Sequence, residues 1–185
     1  MKANKYFLTF KDLIDGLDYQ KIDEAVDAIR TTWLNGGKII TMGNGGSALT
    51  ASHFINDWNK SIFLATGKSF KGYSLTDNVG LLMSYANDIS YQDIFLEQLK
   101  NILEPHDLVI GISGSGNSEN VLRAIKYSRS KGVETIGLCG YDGGKLKDMV
   151  NIPVWVNKRD MQLSEDVHFM FGHIVMKSLC GEESI

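Results

Sequence analysis

The sequence predicts an α/β fold built around a mostly parallel β-sheet. Short β-rich apolar runs alternate with longer stretches whose apolar residues recur at helical spacing. Several runs are apolar throughout, which is typical of strands that helices cover on both faces, and such strands are joined by right-handed crossovers. The predicted strands are KIITM (38–42), DLVIGIS (107–113), ETIGLC (134–139), IPVWV (152–156) and, more weakly, KGYSL (71–75).

Helical patterns fill the intervals between these runs. Apolar side chains from Ile22 to Trp33 keep the spacing of one helix face, and the pair Gly36–Gly37 supplies a stop. Ser118 is predicted to cap a helix that ends on Gly132. The stretches NVGLLMSYA and YQDIFLEQLKNIL also have helical patterns.

The two ends of the chain are predicted to be helical. Ser164 is expected to cap the last helix, with two acids in its first turn and Gly181 just past its end. Residues 1–35 are expected to form one or two helices that pack outside the α/β unit. No Pro-rich linker or low-complexity tract divides the sequence, so residues 1–185 are expected to form a single domain.

Composition narrows the class of protein. The chain has 185 residues, 43% of them hydrophobic and 22% charged, with a formal net charge of −3. This charge gives no bulk attraction to nucleic acid or to an anionic membrane, and we expect neither as a partner. Two cysteines outside any CxxC pattern indicate neither a disulfide framework nor a zinc ribbon. Without a signal region or a long apolar run, we expect a cytoplasmic protein.

Two glycine–serine loops follow two of the predicted strands. KIITM leads into GNGGS (43–47), and DLVIGIS leads into GSGNS (114–118), each just before a helix. Small residues let backbone N–H groups approach an anion, and the helix N-terminus adds its positive dipole end. Neither loop has the spacing or the lysine of a nucleotide-binding loop. The pair favours a phosphorylated small ligand, and the alternative is tight turns with no ligand.

Polar side chains at helical spacing follow the first loop and recur in the last helix. His53 and Asp57 are four residues apart, so they share one face of a helix. The last helix offers Glu165 and His173, whose separation of eight residues is about 12 Å in an unbroken helix. If both bind one metal ion, either the helix is irregular near Ser164 or the two come from different subunits. The alternative for each histidine is ordinary packing.

Other polar groups are expected to have structural roles. His168 is interpreted as a partly buried packing residue of the last helix. The glycines of YDGGK (141–145) are interpreted as turn residues, and the charges of KRD (158–160) as a solvated surface.

Taken in order, these motifs resemble the sugar-isomerase (SIS) family, and within it the phosphoheptose isomerase branch. The resemblance runs from about residue 20 to 180 and includes GNGGS, the H-F-x-x-D segment from His53 to Asp57, and AND (86–88) followed by QDIF. It continues with GISGSGNSENVLRAI (111–125), YDGGK and the final helix. It implies a five-stranded parallel sheet flanked by helices, and a homotetramer with active sites between subunits.

The resemblance also implies a set of site residues. It implies a divalent metal, with zinc expected first and Fe²⁺, Mn²⁺ or Ni²⁺ also compatible with the donors. The implied metal ligands are His53, Asp57, Glu165 and His173, of which Asp57 would be the catalytic base and His173 the acid. The implied substrate-binding residues are Asn44, Gly45, Gly46, Ser47, Asn87, Asp88, Ser113, Gly114, Ser115, Ser118 and Glu165.

The chain departs from the family pattern at four positions. Asp57 stands where the family usually has Glu, and Glu165 where Gln is usual. Gly114 stands where Thr is common, and Ser61 where an arginine is typical. These departures leave the substrate and the role of Asp57 open.

The implied activity is an aldose–ketose isomerisation of a sugar phosphate through an enediol. The first expectation is conversion of sedoheptulose 7-phosphate to a D-glycero-D-manno-heptose 7-phosphate type of product, for heptose, lipopolysaccharide or capsule synthesis. One alternative is an isomerase for a different ketose phosphate. Another is a non-catalytic SIS protein that binds a protein partner, like the replication-initiator-binding member of the family.

Overall fold

All five predicted strands form one parallel sheet, which confirms the expected fold class. The computed structural model describes residues 2–181. The strands are β1 (Ile39–Gly43), β2 (Gly72–Ser74), β3 (Leu108–Ser113), β4 (Glu134–Cys139) and β5 (Ile152–Trp155). Their order across the sheet is β2-β1-β3-β4-β5, and every neighbouring pair is parallel.

Helices cover both faces of this sheet. They are α1 (Ala3–Asp15), α2 (Tyr19–Leu34), α3 (Gly46–Asp57), α4 (Phe63–Thr66), α5 (Val79–Asp88), α6 (Ile94–Ile102), α7 (Glu119–Ser130), α8 (Gly144–Met149) and α9 (Met161–Cys180). A π-helical segment, Trp58–Ile62, joins α3 to α4, and a 3₁₀ turn, Tyr91–Asp93, precedes α6. In the described part of the chain, no helix is both long and apolar enough to span a membrane.

The sheet separates two apolar cores. Ile39 in β1 belongs to the core formed with α2, α3 and α9, while its neighbour Ile40 belongs to the core formed with α6, α7 and α8. Both side chains are fully buried. This two-sided burial explains why the strands read as continuous apolar runs rather than as alternating ones.

Helix α1 lies outside both cores. None of its residues is buried, and Phe7 and Leu8 are 68% and 63% exposed. Tyr6 donates a hydrogen bond to Asp166 Oδ2 at 2.5 Å, and this carboxylate raises the pKa of Tyr6 to about 12. The expected N-terminal helical segment is therefore two helices, of which α1 is exposed. The expectation that this segment packs outside the α/β unit is wrong for α2, which shares a core with the sheet.

One predicted helix cap is wrong, and a second has the predicted position without the predicted side-chain bond. Helix α9 begins at Met161, because Asp160 Oδ1 accepts a hydrogen bond from the Leu163 N–H at 3.2 Å and supplies the cap. Ser164 therefore lies inside the first turn, where its hydroxyl donates to the Asp160 carbonyl at 2.8 Å. Ser118 stands at the N-cap of α7, but its hydroxyl hydrogen-bonds the Ser113 hydroxyl and not a backbone N–H. The predicted end of α9 at Gly181 is confirmed.

The topology places a crevice at the carboxyl ends of β1 and β3. These strands are neighbours, and the helices that follow them, α3 and α7, pack on opposite faces of the sheet. Ligands of open parallel sheets bind at such a switch point. Both glycine–serine loops lie there, because GNGGS follows β1 and GSGNS follows β3.

Candidate active site

A close contact between α3 and α9 builds the first part of the site. Gly172 lies against the ring of Phe54, and a Cβ at position 172 would lie within 3 Å of Phe54 Cδ1. The indole N–H of Trp58 donates to the Gly172 carbonyl at 2.9 Å. The missing side chain lets the two helix backbones approach, and this brings the polar faces of α3 and α9 together.

Three of the four predicted metal ligands meet across this contact. His53 Nε2 lies 3.3 Å from His173 Nε2 and 3.1 Å from Asp57 Oδ2. Asp57 Oδ2 lies 3.7 Å from His173 Nε2. Because the three side chains are partly buried and each offers one ligand atom within 4.8 Å of the others, the group can hold a metal ion.

Aromatic packing orients the two imidazoles. The Phe169 ring stacks on His53 with centroids 4.4 Å apart and meets His173 edge-on at 5.0 Å. Phe169 is itself 38% exposed, so one side of the group faces the surface. The π-helical turn begins at Trp58, directly after Asp57, and such turns are frequent at functional sites.

The fourth predicted ligand, Glu165, does not join this group within one subunit. Helix α9 runs without interruption from Met161 to Cys180, so Glu165 and His173 are about 12 Å apart along its axis. The alternative of an irregular helix near Ser164 is therefore wrong. A shared ion with both residues would need a second subunit.

Glu165 instead lies in a cavity with the serine loop. This cavity has a volume of about 140 Å³. Ser113 and Ser118 place their hydroxyl oxygens 3.0 Å apart there. Glu165 also approaches Gly46, because a Cβ at position 46 would lie 3.1 Å from Glu165 Oε1. The residues that line the cavity are Asn44, Ser47, Ile112, Ser113, Gly114, Ser115, Ser118, Met161 and Glu165.

The serine loop is held by close backbone packing. Gly116 has a φ of +65° and lies against the Gly143 carbonyl, so position 116 has neither the conformation nor the space for a side chain. The Gly116 carbonyl accepts a hydrogen bond from the Leu146 N–H at 2.9 Å. The YDGGK glycines therefore support the serine loop, which agrees with their interpretation as turn residues.

A reciprocal amide pair, which the sequence did not reveal, links the two loops. Asn44 and Asn120 exchange two hydrogen bonds of 2.9 Å, and the Tyr91 hydroxyl donates to Asn44 Oδ1 at 2.7 Å. Asn44 also lines a neighbouring cavity of about 250 Å³ together with Gly45. The pair fixes the side chain of Asn44 between the two cavities.

Asn87 and Asp88 lie apart from these cavities. They are exposed at the end of α5, where the Asn87 amide donates to Asp88 Oδ1 at 2.8 Å. Neither lines the cavity of the serine loop. Their contact with substrate stays a prediction.

Comparisons with known proteins identify the family. A model of the SIS domain family matches residues 5–140. A phosphoheptose isomerase from Clostridium acetobutylicum is 37% identical over 177 residues, which cover 94% of this chain and 90% of that protein. The chain belongs to the SIS domain family, among the phosphoheptose isomerases. Membership confirms the resemblance found in the sequence.

Solved structures of phosphoheptose isomerases share the whole fold. The structure from Francisella tularensis superposes with a TM-score of 0.88 at 25% identity and covers 99% of this chain and 100% of that one. The structure from Neisseria gonorrhoeae gives a TM-score of 0.87 at 25% identity, with 96% of each chain covered. The SIS fold therefore extends over nearly all of this family member, including α1.

His168 is a buried histidine that does not belong to the group formed by His53, Asp57 and His173. His168 is more buried than expected, with 1% of its surface exposed and no hydrogen-bond partner for either ring nitrogen among residues 2–181. Burial lowers the pKa of His168 to about 4, so the ring is neutral at physiological pH. The thiol of Cys139, which belongs to the core formed with α6, α7 and α8, has its pKa raised by burial to about 12.

Proposed function

We propose that this chain isomerises sedoheptulose 7-phosphate to an aldoheptose 7-phosphate of the D-glycero-D-manno type. The observation that carries the proposal is the meeting of His53, Asp57 and His173 across the α3–α9 contact. The similar proteins are phosphoheptose isomerases, and they suggest the substrate class. A charged sugar phosphate does not cross a bilayer, so the enzyme must act in the compartment that holds its substrate. The proposed compartment is the cytoplasm.

Asp57 is the proposed base. Its Oδ2 faces both histidines, while its Oδ1 accepts a hydrogen bond from the Asn56 amide at 3.1 Å and lies on the other side of the carboxylate. In the proposed reaction, Asp57 removes a proton from C1 of the ketose to give an enediol and returns it to C2. One oxygen can therefore take the proton while the other stays with the histidines.

His173 is the proposed acid. Its side chain is 45% exposed, more than that of His53 or Asp57, so it is open to an incoming sugar. Histidine gives and accepts protons near neutral pH, and the ring nitrogen of His173 that does not hold the ion can move the proton between the two oxygens of the enediol. The proton count balances, because each proton removed from one atom of the sugar is returned to its neighbour.

A divalent metal ion, with zinc proposed first, would be held by His53, Asp57 and His173. Two imidazole nitrogens and one carboxylate oxygen match the donors of catalytic zinc sites, which keep a fourth position for water or substrate. When bound there, the ion supplies polarisation of the carbonyl and stabilisation of the enediolate.

The serine loop is the proposed phosphate anchor. The hydroxyls of Ser113, Ser115 and Ser118 line its cavity, and Ser115 and Ser118 lie before the N-terminus of α7. Binding energy at the phosphate would orient the reacting carbons without contacting them.

A homotetramer with sites between subunits is the proposed assembly. Within one subunit Glu165 lies about 12 Å along α9 from His173, and Asn87 and Asp88 contact neither cavity. Exposed apolar side chains occur on α1 and on α9, where Ile174 is 37% exposed one residue after His173. Burial of such side chains between copies would bring Glu165 of one subunit towards the metal group of another.

An NMR assay tests the proposed activity. Purified chain is incubated with sedoheptulose 7-phosphate and with shorter ketose phosphates, and the appearance of aldose anomeric protons is followed. We expect turnover with the heptulose phosphate and a loss of at least about a hundredfold in Asp57→Asn and in His173→Ala. Unchanged turnover in either variant removes that residue from its role. Faster turnover of a shorter ketose phosphate would assign a different substrate, and no turnover of any, with tight capture of a protein, would favour the non-catalytic alternative.

A further inference from the structure

In the described part of the chain, no cationic side chain lines the cavity of the serine loop. Its lining includes hydroxyls, an amide and the carboxylate of Glu165, but neither lysine nor arginine. A phosphate ester carries up to two negative charges at neutral pH, and a carboxylate close to it repels it. A cation placed beside the cavity would therefore strengthen phosphate binding, in addition to the backbone N–H groups and the N-terminus of α7.

Arg159 lines the neighbouring cavity. That cavity has a volume of about 470 Å³ and shares the lining residue Ser115 with the serine-loop cavity, so the two cavities are adjacent. Its other lining residues are Asn117, Tyr141, Asp142 and Asn157. It lies at the carboxyl ends of β3, β4 and β5, on the edge of the sheet where ligands of this fold bind.

The guanidinium of Arg159 is free to bind an anion. Among residues 2–181, no carboxylate lies within 4.0 Å of it, and it makes no hydrogen bond. Asp142 in the same cavity is tied to its own turn, because its Oδ1 accepts a hydrogen bond from the Gly144 N–H at 3.1 Å. Among residues 2–181, Arg159 is the one arginine or lysine that lines either cavity.

The backbone on both sides of Arg159 is fixed against the loops of the site. On one side, the Lys158 carbonyl accepts a hydrogen bond from the Tyr141 N–H at 3.0 Å. Tyr141 has a φ of +51°, a costly conformation for a residue other than glycine that is frequent at functional sites. On the other side, Met161 lies over Gly114 of the serine loop, where an added Cβ would lie within 3 Å of Met161 Sδ. The segment that carries Arg159 therefore lies between the loop that follows β4 and the serine loop.

We propose that Arg159 binds the phosphate of the substrate together with the serine loop. The inference rests on the proposed function for the identity of the phosphorylated ligand. An arginine can present two N–H donors to one phosphate and offset the charge of Glu165. Arg159 is a binding residue, because it acts at the phosphate and not at the carbons that react.

Two independent measurements test this role. The first is titration of inorganic phosphate followed by ³¹P NMR line width, which needs no turnover. We expect Arg159→Ala to raise the dissociation constant for phosphate about tenfold or more, and Arg159→Lys to recover part of that loss. Lys158→Ala is the matched control, since it removes the adjacent cation, which lines neither cavity. It should change the dissociation constant by less than about twofold.

The second measurement is isomerase kinetics on the same variants. Arg159→Ala should raise KM for the sugar phosphate about tenfold and leave kcat within about twofold, because the lost contact is made equally in ground and transition states. Adding Glu165→Gln to Arg159→Ala should restore part of the phosphate affinity, since it removes the repelling charge.

The outcomes separate the two proposals. Turnover with KM and phosphate affinity unaffected by Arg159→Ala overturns the role of Arg159 and keeps the isomerase. Phosphate binding that depends on Arg159, without turnover of any ketose phosphate, keeps the anion site and overturns the proposed activity. A wild-type chain that shows neither phosphate binding nor turnover overturns both.

Discussion

Replacing Gly172 by alanine should weaken both the fold and the metal group. The new Cβ would lie within 3 Å of Phe54 Cδ1 and Cε1, and 3.2 Å from Cζ. Phe54 cannot swing aside, because it is fully buried and stacked on Trp58 with centroids 4.9 Å apart. The overlap must therefore be relieved by moving α3 away from α9.

The magnitude follows from two opposing effects. Overpacking a buried contact costs about 1–3 kcal/mol, while replacing glycine by alanine inside a helix stabilises it by about 0.5–1 kcal/mol. The free energy of unfolding should therefore fall by about 1–2 kcal/mol, which lowers Tm by about 2–8 °C for a chain of this length. The helices must separate by about 1 Å to restore ordinary contact between the new Cβ and the ring. Such a shift is large compared with the tolerance of metal–ligand distances, so the affinity for metal should fall at least about tenfold.

Urea unfolding and a competitive zinc titration measure the two effects. Gly80→Ala is the matched control, since Gly80 is also in a helix, and its added Cβ would meet only Asn78 Oδ1, at 3.5 Å. This control should be as stable as the wild type or more stable by about 0.5–1 kcal/mol, with unchanged zinc affinity. If Gly172→Ala behaves like Gly80→Ala in both assays, the reasoning about the α3–α9 contact is wrong.

Three further predictions concern buried polar groups. Because the pKa of His168 is lowered to about 4 from 6.5, the unfolded chain binds a proton between these values that the folded chain does not. The contribution of His168 to the free energy of unfolding should therefore fall by about 3 kcal/mol as the pH drops from 6.5 to 4. Urea unfolding of His168→Leu, measured over the same pH range, should lack this part of the decline. Asn120→Ala should lower the free energy of unfolding by about 1–3 kcal/mol and raise KM, because Asn44 loses both bonds of the amide pair, and urea unfolding with kinetics measures this. Cys139, whose pKa burial raises to about 12, should resist alkylation in native buffer at pH 8 and react in urea, as mass spectrometry of the labelled chain would show.

The sequence predicts the sheet well because burial on both faces leaves a direct mark in it. Strand β3 reads LVIGIS, and every one of its residues is buried. The pairing of His53 with Asp57 was also predictable, since two residues four apart in a helix must share a face. The distance from Glu165 to His173 followed from helix geometry alone, and the unbroken α9 bears it out.

Features that depend on tertiary contacts were not predictable. Asp160 and Ser164 are both residue types that cap helices, so the sequence alone does not decide between them. In the structure Asp160 is the cap, and the hydrogen bond between the Tyr141 N–H and the Lys158 carbonyl holds the segment just before it. Asn44 and Asn120 are 76 residues apart, and only the adjacency of β1 and β3 brings them together. The π-helical turn after Asp57 has no pattern that marks it in the sequence.

The central claim is that His53, Asp57 and His173 hold a divalent ion needed for the isomerisation. The most direct measurement is the NMR time course of sedoheptulose 7-phosphate with chelator-treated chain, before and after one equivalent of Zn²⁺ per chain is added. We predict turnover that is negligible before the addition and restored after it, with no restoration in His53→Ala. Equal turnover before and after the addition would contradict the claim.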